Sequence, residues 1–187
     1  MKIVLIGDSI RGGYQELVRR KIGGRAEVWT PAENCGHSLM HRENLDRWYL
    51  EQKPDVIHFN CGIWDSVPLG DGAIRFTLGT YVRNLRLIVG RLKAEAHARL
   101  IFATSTPILE PRDQTPMDKC RVYPTLVRFN RAAVKLMRSN DIEIDDLFAA
   151  VMAADPCKCL SQDKVHMTEY GNEVLSDAVV RFIMGQG

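Results

Sequence analysis

The feature that most restricts the fold of this chain is the alternation of short, nearly unbroken aliphatic runs with longer segments of helical period. A run such as Lys2 to Ile6 leaves no polar face for water, so the strand it forms is covered on both sides. Strands of that kind, separated by helical segments, build a parallel sheet with helices above and below. The sequence therefore predicts an α/β fold, a three-layer α/β/α arrangement around a central five-stranded parallel sheet with flavodoxin-like topology.

The five strands are read at Lys2–Ile6, Ala26–Thr30, Asp55–Asn60, Leu100–Thr104 and Ile142–Ile144. Helical period runs through Tyr14 to Ile22, with Leu17 and Val18 inward, and through His41 to Gln52, which Pro54 terminates. The clearest amphipathic segment is Thr80 to Ala96, where Val82, Leu85, Ile88, Val89 and Leu92 recur at spacings of three and four. Pro107 to Pro116 reads as a loop, followed by helices over Tyr123–Arg138 and Asp146–Ala153. A last helix spans Thr168–Met184, with Thr168 as N-cap and Tyr170, Val174, Leu175, Ala178 and Phe182 along one side.

At 187 residues the chain fits a single domain, residues 1–187, that buries roughly 70% of the surface of its unfolded form. A formal charge of +2 offers no strong field for a polyanion, so nucleic acid is not expected as a partner. The first residues lack the basic start, long apolar core and cleavage site of a secretory signal, and no run is long enough to span a membrane. Five cysteines without disulfide-framework spacing, Cys35, Cys61, Cys120, Cys157 and Cys159, favour a reducing compartment, and the expectation is a cytoplasmic protein.

Chemistry enters at the strand ends. Gly7-Asp8-Ser9 follows the first strand and Asn60 ends the third, and a flavodoxin-like order sets those two strands side by side at the crevice where open α/β sheets bind ligands. Ser9 is also in ordinary N-cap chemistry, so the tripeptide alone supports either reading. Asp163 and His166, three apart before the last helix, suit a carboxylate that holds an imidazole Nδ1 hydrogen and leaves Nε2 as a base. A serine hydroxyl needs such a base to become a nucleophile.

In these residues the chain resembles the SGNH, or GDSL-type, hydrolase superfamily. Gly7-Asp8-Ser9-Ile10 is similar to its nucleophile block, Asn34-Cys35-Gly36-His37-Ser38 to its glycine block and Asn60-Cys61-Gly62-Ile63-Trp64-Asp65 to its asparagine block. Asp163-Lys164-Val165-His166, followed by Met167-Thr168-Glu169-Tyr170-Gly171, resembles the closing acid-base block, and the block order holds over essentially the whole chain. The resemblance implies a carboxylic ester hydrolase without a cofactor: Ser9 as nucleophile, His166 as general base and then acid, Asp163 as its orienter. It also implies an oxyanion hole from the N–H groups of Ser9 and Gly36 and the Asn60 amide. The asparagine block departs from the commoner pattern, with His58 where many relatives carry glycine and Cys61 where they carry aspartate.

His37, Trp64 and Asp65 lie beside the expected donors and are candidate pocket residues, with loop packing and local hydrogen bonding as the competing account. Cys157-x-Cys159 near His166 lacks a second suitably spaced pair, so no metal is expected. The expected partner is a small-molecule ester, with a carbohydrate O-acetyl ester as one form. Two other classes stay open: a non-catalytic binder of a small ligand such as a carbohydrate, and a mononucleotide binder using Gly12-Gly13 as a phosphate loop.

Overall fold

The computed structural model describes residues 1–68 and 74–185. Its aliphatic runs form the strands β1 (Lys2–Ile6), β2 (Glu27–Trp29), β3 (Val56–Phe59), β4 (Arg99–Ala103) and, numbered in chain order after a small hairpin, β7 (Glu143–Asp145). All four pairings among them are parallel, in the order β2-β1-β3-β4-β7, so the first and third strands are neighbours. Ile6 pairs with Phe59, which brings the chain after β1 next to the chain after β3.

Alternation along the strands sends side chains into two cores. Val4, Ile6, Ile57, Phe59 and Phe102 pack against the helices α2 (Ser38–Glu43), α4 (Leu78–Glu95) and α5 (Pro124–Arg138). Ile3, Leu5, Val56, Ile101 and Ala103 face the other way, onto α1 (Ser9–Ile22), α6 (Leu147–Ala153) and α8 (Glu169–Met184). Each aliphatic side chain fully buried in this manner contributes about 1.5–3 kcal/mol. The three-layer arrangement is the one the sequence implies.

Several helices differ in extent from the sequence reading. Helix α1 starts at Ser9 rather than Tyr14 because Asp8 caps it, its carboxylate accepting from the Ile10 N–H at 3.0 Å. Gly12 and Gly13, weighed above as a phosphate loop, lie inside this helix; a Cβ on Gly13 would fall 2.6 Å from Asn172 Oδ1 of α8, so that glycine lets the two helices meet. The segment expected as one helix over His41–Gln52 is α2 followed by a π-helical turn at Asp46–Leu50, in which both Trp48 and Tyr49 are buried.

The Pro107–Pro116 loop contains β5 (Leu109–Glu110), which pairs antiparallel with β6 (Arg121–Val122); two-residue strands leave no periodic signal. Short helices α3 (Ile63–Ser66) and α7 (Pro156–Cys159) complete the chain. On α8 the N-cap is Thr168, but the buried side carries Gly171, Leu175, Ser176, Val179 and Ile183, while Tyr170 is exposed. The bulkier Tyr170 faces solvent, and the small Gly171 holds the contact instead.

Among the described residues no helix is long and apolar enough to cross a membrane.

Candidate active site

The turn after β1 places Ser9 at the first position of α1, where backbone N–H groups have no partner one turn earlier and the helix dipole favours negative charge. Asp163 and His166 come from the tight loop between α7 and α8. That loop is closed by the Ser161 N–H donating to the His166 carbonyl at 2.7 Å and the Lys164 N–H to the Ser161 carbonyl at 2.9 Å. Although 157 residues separate them, His166 Nε2 and Ser9 Oγ are 2.9 Å apart. On the ring's other side, Nδ1 lies 2.6 Å from Asp163 Oδ2.

Asp163 is positioned as fully as the imidazole it holds. Its Oδ1 accepts from the Ser161 hydroxyl at 2.7 Å and from the Val165 and His166 N–H groups, each at 2.9 Å. Partial burial works to raise its pKa, but the His166 ring, these N–H groups and the hydroxyl outweigh it and hold the carboxyl well below the usual range. A carboxylate that stays ionised keeps the proton on Nδ1, which leaves the Nε2 lone pair directed at Ser9.

Asn60 follows β3, its backbone N–H donating to the Ile6 carbonyl at 2.9 Å. Its buried amide gives one hydrogen to the Ala103 carbonyl at 2.9 Å, and its contact to Ser105 Oγ is at the 3.5 Å limit. The second amide hydrogen is therefore only weakly engaged at the strand ends.

Gly36 differs from the expectation that its N–H faces an oxyanion. That N–H donates to Asn34 Oδ1 at 2.9 Å, an Asx turn, and the glycine has φ +57°, where a Cβ would also meet Met40 Sδ at 2.9 Å. The glycine serves the turn, and the donor is occupied. The Asn-x-Gly spacing was itself the signal.

The candidate pocket residues separate. Trp64 is exposed and lines a cleft of about 290 Å³ shared with Ser9, His166, Ile63 and Val67. His37 is not part of that lining; it caps α2, Nδ1 accepting from the Met40 N–H at 3.3 Å. Asp65 is fully buried, accepting from the Ser38 N–H at 3.0 Å and from its hydroxyl at 2.5 Å. Burial raises its pKa to about 6 against the lowering effect of those bonds, and it joins α2 to α3 from beneath the cleft.

The departures around Asn60 are structural too. His58 Nε2 lies 2.9 Å from Asp145 Oδ2, a buried pair on the α1 and α8 side of the sheet, and Cys61 is buried in the opposite core.

Three residues carry more of the site than their sequence positions suggest. Arg11, although buried, donates to the carbonyls of Gly7, Pro31 and Glu33 at 3.3, 3.1 and 2.8 Å, and so ties the chain ahead of Gly36 to the start of α1. Lys164, also buried, donates to the carbonyls of Pro111, Asp113 and Thr115 at 2.7, 3.0 and 2.7 Å. Asp8 lies under Ser9 with Oδ2 unpartnered; burial pushes its pKa to about 6, with the Ile10 N–H and the Arg11 charge opposing. A buried cation such as Lys164, which binds only backbone carbonyls, has no sequence signature.

Among the described residues no three His, Cys, Asp or Glu side chains cluster as a metal site, and Cys157 is exposed while Cys159 is buried. A larger groove of about 570 Å³ runs along α5 and α6 and is lined by Val127, Val134 and Phe148, but it touches none of Ser9, Asp163 and His166.

The geometry places the chain in a class of three-layer α/β folds with a serine, histidine and aspartate at the carboxyl ends of the strands. No protein-family model matches the sequence, and no curated protein matches it at a significant level. Solved structures do share the fold. An acetyl xylan esterase, AlAXEase, superposes with a TM-score of 0.79 at 18% identity, covering 98% of this chain and 100% of its own. The lipase/acylhydrolase from Enterococcus faecalis gives 0.78 at 23% identity, over 98% and 95% of the two chains. Axe2, an acetylxylan esterase from Geobacillus stearothermophilus, gives 0.77 at 21% identity, over 100% and 94%. The superposed lengths are nearly complete in both directions, so the whole described architecture is that of these proteins.

Proposed function

We propose that the protein is a serine ester hydrolase of the SGNH type acting on small acyl esters. The observation that carries this reading is the continuous chain from Ser9 Oγ to His166 Nε2 at 2.9 Å and from His166 Nδ1 to Asp163 at 2.6 Å, at the mouth of a cleft. Ser9 Oγ attacks the ester carbonyl while its proton passes to His166 Nε2, and Asp163 stabilises the imidazolium that forms. The tetrahedral oxyanion is received by the Ser9 N–H and the weakly engaged second hydrogen of the Asn60 amide, donors already oriented when the charge develops. Return of the His166 proton to the alcohol oxygen breaks the ester and leaves an acyl-enzyme on Ser9. Water deprotonated by His166 then releases the acid and regenerates the hydroxyl.

A cleft of about 290 Å³ suits a short acyl group. The acetyl xylan esterases that share the fold support a carbohydrate O-acetyl ester as one substrate form. The five cysteines are all free thiols, which supports a cytoplasmic setting. The test is hydrolysis of 4-nitrophenyl acetate together with fluorophosphonate labelling. Wild type is expected to turn over and to carry the label on Ser9, and Ser9→Ala and His166→Ala to do neither; equal activity in all three overturns the reading.

A further inference from the structure

Besides Ser9 and His166, the cleft presents two guanidinium groups, Arg75 and Arg112. They come from separate stretches, one just before α4 and one in the connection between β5 and β6. With a net charge of only +2 for the whole chain, two arginines on so small a cleft are a local concentration rather than a reflection of a basic surface.

The side chain of one and the backbone around the other are held in place. Arg75 stacks on the exposed Trp64, its guanidinium carbon 5.9 Å from the ring centroid. Arg112 sits on the segment whose Pro111, Asp113 and Thr115 carbonyls receive the buried Lys164 ammonium. The Leu109 N–H adds a bond to the Lys164 carbonyl at 3.1 Å. Lys164 lies between Asp163 and His166, so the loop that carries Arg112 is fastened to the turn that carries the acid-base pair. The ammonium itself is saturated by three carbonyls and is no cation for a ligand. Among the described residues Arg112 has no carboxylate partner, a condition it shares with most arginines of the chain, so its place on the cleft is what marks it.

Resting on the ester-hydrolase reading, we propose that the cleft selects esters whose acyl or alcohol part carries an anionic group, a carboxylate or a phosphate. That group is received by Arg112 and Arg75 while the ester carbonyl faces Ser9. The planar guanidinium fork matches both anions, and Trp64, on which Arg75 stacks, lines the cleft together with the arginines and Ser9.

Matched probe esters test this, each rate being normalised to its hydroxide-catalysed hydrolysis. 4-Acetoxybenzoate against its methyl ester places the charge on the alcohol side, 4-nitrophenyl hemisuccinate against its methyl ester places it on the acyl side, and 4-acetoxyphenyl phosphate replaces carboxylate by phosphate. In at least one arm the anionic member is expected to have a kcat/KM about 10- to 100-fold higher, the worth of a hydrogen bond to a charged group. Added salt should shrink that ratio. Arg112→Gln should lower it about tenfold and Arg112→Lys restore part of it, because lysine keeps the charge without the fork. Ratios at or below one in every arm, with Ser9-dependent hydrolysis intact, overturn this inference and leave the hydrolase reading standing. If no probe is turned over and Ser9 takes no fluorophosphonate, the hydrolase reading falls and this inference with it.

Discussion

The two halves of the site are held by different means. Ser9 and Asn60 leave the ends of adjacent strands, and Ile6 and Phe59, the residues that end those strands, are directly paired. Asp163 and His166 sit on an irregular loop with both side chains about half exposed. Sheet pairing positions the first half through backbone hydrogen bonds and two cores. The second half lies outside the central sheet, and its geometry comes from a few backbone bonds that close the loop together with side-chain bonds: Asp163 to two N–H groups, the Ser161 hydroxyl to Asp163, and Lys164 to three carbonyls. A site can thus join a half that follows from topology to a half that must be fastened residue by residue.

The sharpest way to break the contrast is to remove the chemistry from each half in turn. Ser9→Ala and His166→Ala should each lower kcat on 4-nitrophenyl acetate by about 10⁴-fold or more, and the double variant should lose no more than the worse single one, since the two groups act as a unit. Asp163→Asn should cost about 10⁴-fold through the wrong imidazole tautomer, with Tm nearly unchanged. A full multiplicative loss in the double variant would show that the halves act independently.

Next in size is Asn60→Ala, expected to lower kcat by about 100- to 1,000-fold with a much smaller change in KM, as for loss of one oxyanion donor. Gly36 provides the contrasting case: with its N–H given to Asn34, Asn34→Ala should free that donor while loosening the turn.

The fastening of the loop half is tested by Lys164→Met, which leaves three carbonyls without their donor. Activity should fall about 10- to 100-fold through misplacement of His166, and amide exchange should rise over 108–122 and 160–167 while β1 and β3 stay protected. Equal loosening of the strands would erase the distinction between the halves.

The smallest expected effect concerns stability. Asp8 has a folded pKa of about 6 against 3.8, so the unfolded chain releases this proton more readily between those values. Its contribution is therefore unfavourable at neutral pH, and stability falls as pH rises from about 4 through 6. Asp8→Asn keeps an N-cap acceptor and should stabilise by on the order of 1–3 kcal/mol at pH 7, read as a higher Tm, with the gain vanishing below about pH 4. A gain that persisted at pH 3 would show that the burial penalty is not the cause.

The difference between the halves also explains how much was legible beforehand. Parallel strands were readable because double burial demands unbroken aliphatic runs, and Ser9 and Asn60 were readable because strand order follows from that fold. Asp163 and His166 were legible as a pair three apart, but nothing local could state that they meet Ser9. The start of α1 is not legible because Gly12 and Gly13 are poor helix formers in isolation, and packing of Gly13 on Asn172 overrides propensity. Asp65 reads as a pocket residue because it lies beside the expected donors, yet a helical turn sends it and its neighbour Trp64 in different directions, one into the core and one to the cleft.

By itself the sequence determined what short-range and periodic patterns encode: which runs are strands, which segments are helical, and which residue types capable of acyl transfer lie at their ends. Only the tertiary structure decided what depends on distance between remote segments. It brought His166 to Ser9, diverted the Gly36 N–H to Asn34, turned Asp65 inward, and set Arg75 and Arg112 around one cleft with Lys164 beneath the loop. The physical reason is that period and propensity act within a few turns of chain, whereas hydrogen bonds and charges act through space and take whatever partners the packed layers present.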